Sequence, residues 1–87
     1  MDLREVLAIN LRKQRAEKAW SQEELAHRAD INRTYISDIE RCRYSATVDM
    51  IDRLARAFKV EPAELLRRPE AEAGRSELPG ATGKSGS

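Results

Sequence analysis

The sequence predicts an all-α fold, with five short helices over residues 1–68 and a disordered tail over residues 69–87. Residues 1–68 contain no glycine and a single proline, Pro62. Their apolar residues recur at helical spacing, and no alternating run reaches strand length. At Pro69 the composition changes: PEAEAGRSELPGATGKSGS holds all four glycines, and Leu78 is its only sizeable apolar side chain. Such a segment cannot bury enough surface to offset the entropy of ordering it. It reads as a passive terminus or, less simply, as a partner-binding tail.

In the first helix Leu3, Leu7 and Leu11 recur at four-residue steps beside Val6, making one apolar face. Asp2 followed by Glu5 fits a capping box at its start, and the pattern runs to about Lys18. Ser21 is the next N-cap, followed by Gln22, Glu23 and Glu24, whose acids suit the positive end of a helix. Leu25, Ala26 and Ala29 form the inner face of that second helix. Asn32 opens a third, through about Arg41, with Ile36 and Ile39 inward. Thr47 caps a fourth, striped by Met50, Ile51, Leu54, Ala55 and Phe58. Pro62 suits the first turn of a short fifth helix, where its missing N–H costs nothing, and Leu65 and Leu66 supply the apolar content.

Length and composition bound the function. Eighty-seven residues allow one small domain, whose modest burial makes dimerisation a plausible source of extra stability. Aromatics are 5% of the chain, so the core is aliphatic. No run approaches the roughly 18 apolar residues of a membrane span. The N-terminus lacks a basic region followed by an apolar stretch, so no signal peptide is expected. The single cysteine, Cys42, and single histidine, His27, form neither a disulfide nor a metal cluster. These features point to the cytoplasm, with no metal, cofactor or small-molecule ligand. An enzyme is the weakest reading, since the chain has no glycine-rich loop and its acids read as caps and surface charge. The net charge is only +1, so a polyanionic partner must be met by local charge placement.

The informative stretch is SQEELAHRADINRTYISDIERCR, residues 21–43. Two helices this short, separated by Asp30 and Ile31, must pack as a unit, which is a helix-turn-helix. With Ile36 and Ile39 inward, Arg33, Thr34, Ser37 and Asp38 point outward together. These are side-chain types that read base edges in a DNA major groove.

From LRKQRAEKAW through SQEELA, RTYISDIER and TVDMIDRLARAFKVEPAELL, the chain resembles the Cro/CI-type, lambda repressor-like helix-turn-helix regulators across nearly all of residues 3–67. RTYISDIER is most similar to the controller proteins of restriction–modification systems and to small regulators of mobile elements. The resemblance implies a transcriptional regulator that binds a double-stranded DNA operator as a homodimer, with half-sites one helical turn apart. Regulation would then come through protein concentration and operator occupancy. The resemblance further implies that Gln22 binds phosphate while bracing the recognition helix. Arg33, Thr34, Ser37 and Asp38 would face bases. Asn32, Tyr35, Arg41 and Arg43 would hold phosphates, with Arg12 and Arg15 as flanking contacts. Trp20 stands where the family usually has leucine, and is expected in the core.

Glycine is usual in the family where this chain has Ala19, Asp30, Cys42 and Lys59. Each would cost about 1 kcal/mol if its backbone stays left-handed, with Asp the most tolerant type. Simpler alternatives stand beside several roles. Asp38 accepts from a cytosine amino group or orients an arginine; Tyr35 touches phosphate or packs on the first helix. His27 reads as a surface residue, and Cys42 as an inert helix-end residue rather than a redox sensor. Val60 with Leu65 or Leu66 offers an apolar edge for the dimer, unless both leucines only close the core. An antitoxin-like protein-interaction module is the competing function, opposed by the tail's lack of apolar anchors.

Overall fold

A computed structural model describes residues 1–69; the expected tail, Pro69 apart, lies outside them. The described residues form α1 (Leu3–Lys18), α2 (Gln22–Ala29), α3 (Arg33–Glu40), α4 (Val48–Phe58) and α5 (Pro62–Leu65).

Local chemistry sets the starts. Asp2 and Glu5 close a reciprocal capping box on α1, each side chain 3.1 Å from the other's backbone nitrogen. The Glu5 N–H lowers the Asp2 pKa. Ser21 Oγ accepts from the Glu24 N–H at 3.0 Å, Asn32 Oδ1 from Thr34 at 2.8 Å, and Thr47 Oγ1 from Met50 at 3.1 Å. Pro62 opens α5 at its first turn.

The ends are set by left-handed residues. Ala19, Asp30, Cys42 and Lys59 have φ of 58°, 58°, 62° and 62°, at the four positions where the family resemblance expects glycine. At Ala19, Asp30 and Lys59 the cap N–H turns back onto carbonyls of the last helical turn. At Cys42 the N–H bonds Ile39 O and the next N–H, of Arg43, bonds Asp38 O, so α3 stops at Glu40 with Arg41 as its cap.

The core is aliphatic: Leu7, Leu11, Leu25, Ile36, Ile39, Leu54 and Leu65 surround Phe58. Trp20 packs against it from the rim, stacked on Phe58 with centroids 5.5 Å apart, while the Arg28 guanidinium covers the indole at 4.4 Å. Leu3 belongs to the apolar stripe of α1 but lies one turn beyond the core and is exposed. The buried Asn10 amide ties the end of α5 to α1, donating to Leu65 O at 2.8 Å and to Arg67 O at 3.0 Å. That clamp turns Leu65 fully inward. Leu65 is therefore unavailable as a dimer contact, and of the two leucines only Leu66 retains surface; Val60 is half-buried.

Candidate nucleic-acid interface

The turn between α2 and α3 fixes where α3 points. Asp30 takes the left-handed position, and the N–H of Ile31 returns to Ala26 O at 3.0 Å. Ile31 is buried beneath the turn, and Arg53 from α4 donates to Asp30 O at 3.0 Å, tying the outside of the turn down. Ile36 and Ile39 then fill the core from one side of α3. Helical geometry sends Thr34, Ser37, Asp38 and Arg41 to the opposite side, with Arg33 opening the helix. Arg33, Thr34 and Arg41 are exposed, and Ser37 and Asp38 are half-buried. Arg43 follows, exposed, just past the helix end. Among the described residues, the side chains of Arg33, Arg41 and Arg43 have no hydrogen-bond or ion-pair partner. Two rings flank this surface, Tyr35 and Tyr44, tilted with centroids 5.0 Å apart. Tyr35 thus leans on the loop after α3, not on α1, and remains exposed.

Behind α3 lies a buried polar hub that the sequence reading missed. Glu40, 3% exposed, sits on the inner side of α3 beside Ile36 and Ile39. Arg15 donates to both its oxygens, from Nε at 2.7 Å and Nη2 at 2.9 Å, and a third donor, Nη1, holds Trp20 O at 2.9 Å. The Glu40 hydrogen bond raises the Arg15 pKa against partial desolvation. Gln22 adds an amide donor to Glu40 Oε1 at 3.1 Å, and Arg12 donates to the Glu40 carbonyl oxygen. One carboxylate therefore joins α1, α2 and α3.

The hub corrects one expectation. Arg15 was expected at phosphate, but its guanidinium is turned inward and occupied, leaving the side chain 21% exposed. Gln22 donates to the Glu40 carboxylate and so ties α2 to α3, and Arg12 ties α1 to it while remaining half-exposed. Asn32 uses its side-chain oxygen as a cap, so only its amide donor stays available. The signal for Glu40 was present in the sequence: Ile36, Ile39 and Glu40 follow the i, i+3, i+4 spacing of one helix face.

No group of three or more His, Cys, Asp or Glu able to hold a metal occurs among the described residues. His27 is exposed. The Cys42 thiol is half-buried, 3.8 Å from Arg4 O. No helix of the described residues is long and apolar enough to cross a membrane.

The helix-turn-helix family profile matches residues 11–65, from the hub arginines through Leu65. The chain belongs to the helix-turn-helix family. Among members of the family, it is 45% identical over 69 residues, 79% of its length, to a hypothetical transcription factor of Neisseria meningitidis serogroup B. It is 48% identical over 46 residues, 53% of its length, to the control protein C.BamHI of Bacillus amyloliquefaciens. The matched stretches span 65% and 57% of those two proteins. The crystal structure of the Neisseria factor superposes with a TM-score of 0.81 at 42% identity, covering 85% of both chains. The restriction–modification controller C.Esp1396I, solved as a tetramer with its natural 35 base-pair operator, gives 0.65 at 28% identity, over 77% of this chain and 99% of that one. The resemblance to controller proteins read from RTYISDIER is thus matched by sequence relatives and by structural neighbours.

Proposed function

We propose that this protein is a sequence-specific, double-stranded DNA-binding transcriptional regulator, acting as a homodimer on a pseudo-palindromic operator. The observation that carries the proposal is the outer surface of α3, braced from behind by Glu40, where Arg33 and Arg41 stand with Thr34 and Ser37, Arg43 follows just past the helix end, and none of the three arginine side chains has a partner among the described residues. In a major groove Arg33 and Thr34 lie first, at the helix start, and reach base edges; Ser37 and Asp38 follow on the same side. Arg41, Arg43, Arg12, the Tyr35 hydroxyl and the amides of Gln22 and Asn32 meet phosphates, which supply affinity and salt dependence. The Asp38 carboxylate, an anion, is repelled by phosphates and serves instead as an acceptor for a cytosine amino group or for a neighbouring arginine. Operator-bound C.Esp1396I supports the assignment of the partner class.

Arg33→Ala and Arg43→Ala test the reading together. Arg33→Ala is expected to cost about 1–3 kcal/mol on the specific site and to relax preference at one base pair. Arg43→Ala is expected to weaken specific and random duplexes alike and to flatten the salt slope. Fluorescence anisotropy on both duplex types across salt concentrations separates them. Equal losses on both duplexes for Arg33→Ala would remove it from base readout.

A further inference from the structure

Tyr35 stands apart from the other side chains assigned to DNA. It precedes Ile36 by one residue, a step of about 100° around α3, which leaves it on the flank between the buried side and the side carrying Thr34, Ser37 and Asp38. Its ring is 42% exposed, and among the described residues its hydroxyl has no hydrogen-bond partner. Two features bound the ring. The Tyr44 ring meets it with centroids 5.0 Å apart and planes tilted by 42°, within the range of about 4.5–7 Å that favours aromatic pairs. Tyr35 also lines a cavity of about 250 Å³ between the starts of α3 and α4, together with Asn32, Thr47, Met50 and Arg53.

Tyr44 is fixed where Tyr35 is not. The chain leaves α3 through the left-handed Cys42, whose N–H bonds Ile39 O, and the Arg43 N–H returns to Asp38 O at 2.8 Å, so the backbone arrives at Tyr44 already constrained. The Tyr44 ring is half-buried and packed against the core. We propose that Tyr44 is a positioning residue for DNA binding: its ring keeps the Tyr35 ring out of the cavity and so holds the Tyr35 hydroxyl where a phosphate is met. The inference rests on the DNA-binding reading above and on the phosphate contact assigned there to Tyr35. An exposed tyrosine without such a neighbour spreads over several staggered rotamers, and each one that turns the hydroxyl away lowers the fraction of molecules ready to bind. Tyr44 does this through its ring alone. Phenylalanine at the position keeps the contact, and alanine releases Tyr35 toward the cavity.

Four variants test this by fluorescence anisotropy: Tyr35→Phe, Tyr44→Phe, Tyr44→Ala, and Tyr35→Phe combined with Tyr44→Ala. The probes are a duplex that the wild type has selected from a random library and a random-sequence duplex, each titrated well below the melting temperature of every variant. Tyr35→Phe is expected to weaken both duplexes about tenfold, the size of one lost hydrogen bond to a charged group. Tyr44→Phe is expected to bind like the wild type, and Tyr44→Ala to approach the loss of Tyr35→Phe. The double variant separates positioning from a structural effect. Once the Tyr35 hydroxyl is gone its placement no longer matters, so adding Tyr44→Ala is expected to cost no more than about twofold further. A general loosening of the fold would instead multiply the two losses, and that result overturns the inference. Equal losses for Tyr44→Phe and Tyr44→Ala overturn it too, because they put the Tyr44 hydroxyl itself on the DNA. So does a Tyr44→Ala that binds like the wild type. A Tyr35→Phe that binds like the wild type removes the phosphate contact and the inference with it, while Arg33→Ala and Arg43→Ala report separately on the DNA-binding reading.

Discussion

Glu40→Ala isolates the energetic role of the hub. The substitution removes a carboxylate that is 4% exposed at its side chain and leaves Arg15, 21% exposed, with two of its three hydrogen-bond acceptors gone. Breaking a buried ion pair by deleting one partner costs about 3–5 kcal/mol, because the other charge stays desolvated. Arg15 keeps some contact with water and its bond to Trp20 O, and Arg12 is 55% exposed and loses little, so the lower end applies, about 3 kcal/mol. For a domain of this size that lowers the melting temperature by roughly 12 °C or more. Urea unfolding followed by far-UV circular dichroism gives the free energy directly. The double variant Arg15→Met with Glu40→Leu removes both charges and fills the space, and is expected to lose less than Glu40→Ala alone. A loss below about 1 kcal/mol for Glu40→Ala, or a double variant worse than the single, would show that the hub does not hold α3 in place.

Two further outcomes follow from the backbone and from Arg15. Lys59 takes a left-handed conformation as a non-glycine residue, so Lys59→Gly relieves about 1–2 kcal/mol of strain against a glycine entropy cost of about 0.5–1 kcal/mol. A net gain near 0.5–1 kcal/mol in urea unfolding is expected, with less for Asp30→Gly because Asp visits this region more readily; no gain at Lys59 would refute the strain argument. Glu40 raises the Arg15 pKa, and a base with a raised folded value contributes fully below its unfolded value and loses that contribution only as pH climbs through the folded one. Arginine titrates far above neutrality, so the double variant Arg15→Met with Glu40→Leu, which leaves no unpaired buried carboxylate, should shift the stability–pH curve between about pH 7 and 9 without changing its slope, and a changed slope would contradict the assignment.

The helices were legible because their boundaries are local events. Asp2, Ser21, Asn32 and Thr47 each cap through a bond to a backbone nitrogen two or three residues on, a distance that sequence spacing fixes. The left-handed ends were legible only through the family resemblance, which marks Ala19, Asp30, Cys42 and Lys59 as glycine positions; nothing intrinsic to Lys or Ala announces a positive φ. Helical spacing put Glu40 on the inner face of α3, but the partners it finds there were not legible. Its bonds join residues 18 to 28 apart, and the direction in which Arg15 turns depends on how α1 crosses α3. Leu65 and Leu66 defeated periodicity for another reason. A helix of four residues is barely one turn, and it was the Asn10 clamp, 55 residues away in the chain, that decided which leucine went inside.

The nearly neutral composition and the basic surface on α3 are consistent once the ion pairs are placed. Asp49 and Asp52 each pair with an arginine one turn along α4, Glu24 with Arg28 on α2, Glu64 with Arg67 at the end of α5, and Glu40 with Arg15 inside the domain. These pairs take up negative and positive charge together and lie away from the outer side of α3. Arg33, Arg41 and Arg43 are outside that pairing. A net charge of +1 is therefore an average over a largely paired body and a cationic surface on α3, and only the second would meet the proposed DNA partner. The Glu40 hub serves that separation directly. Turning the one buried carboxylate of α3 inward, against Arg15 and Gln22, keeps it away from the three exposed arginines, while the same bonds fix the helix that carries Arg33 and Arg41.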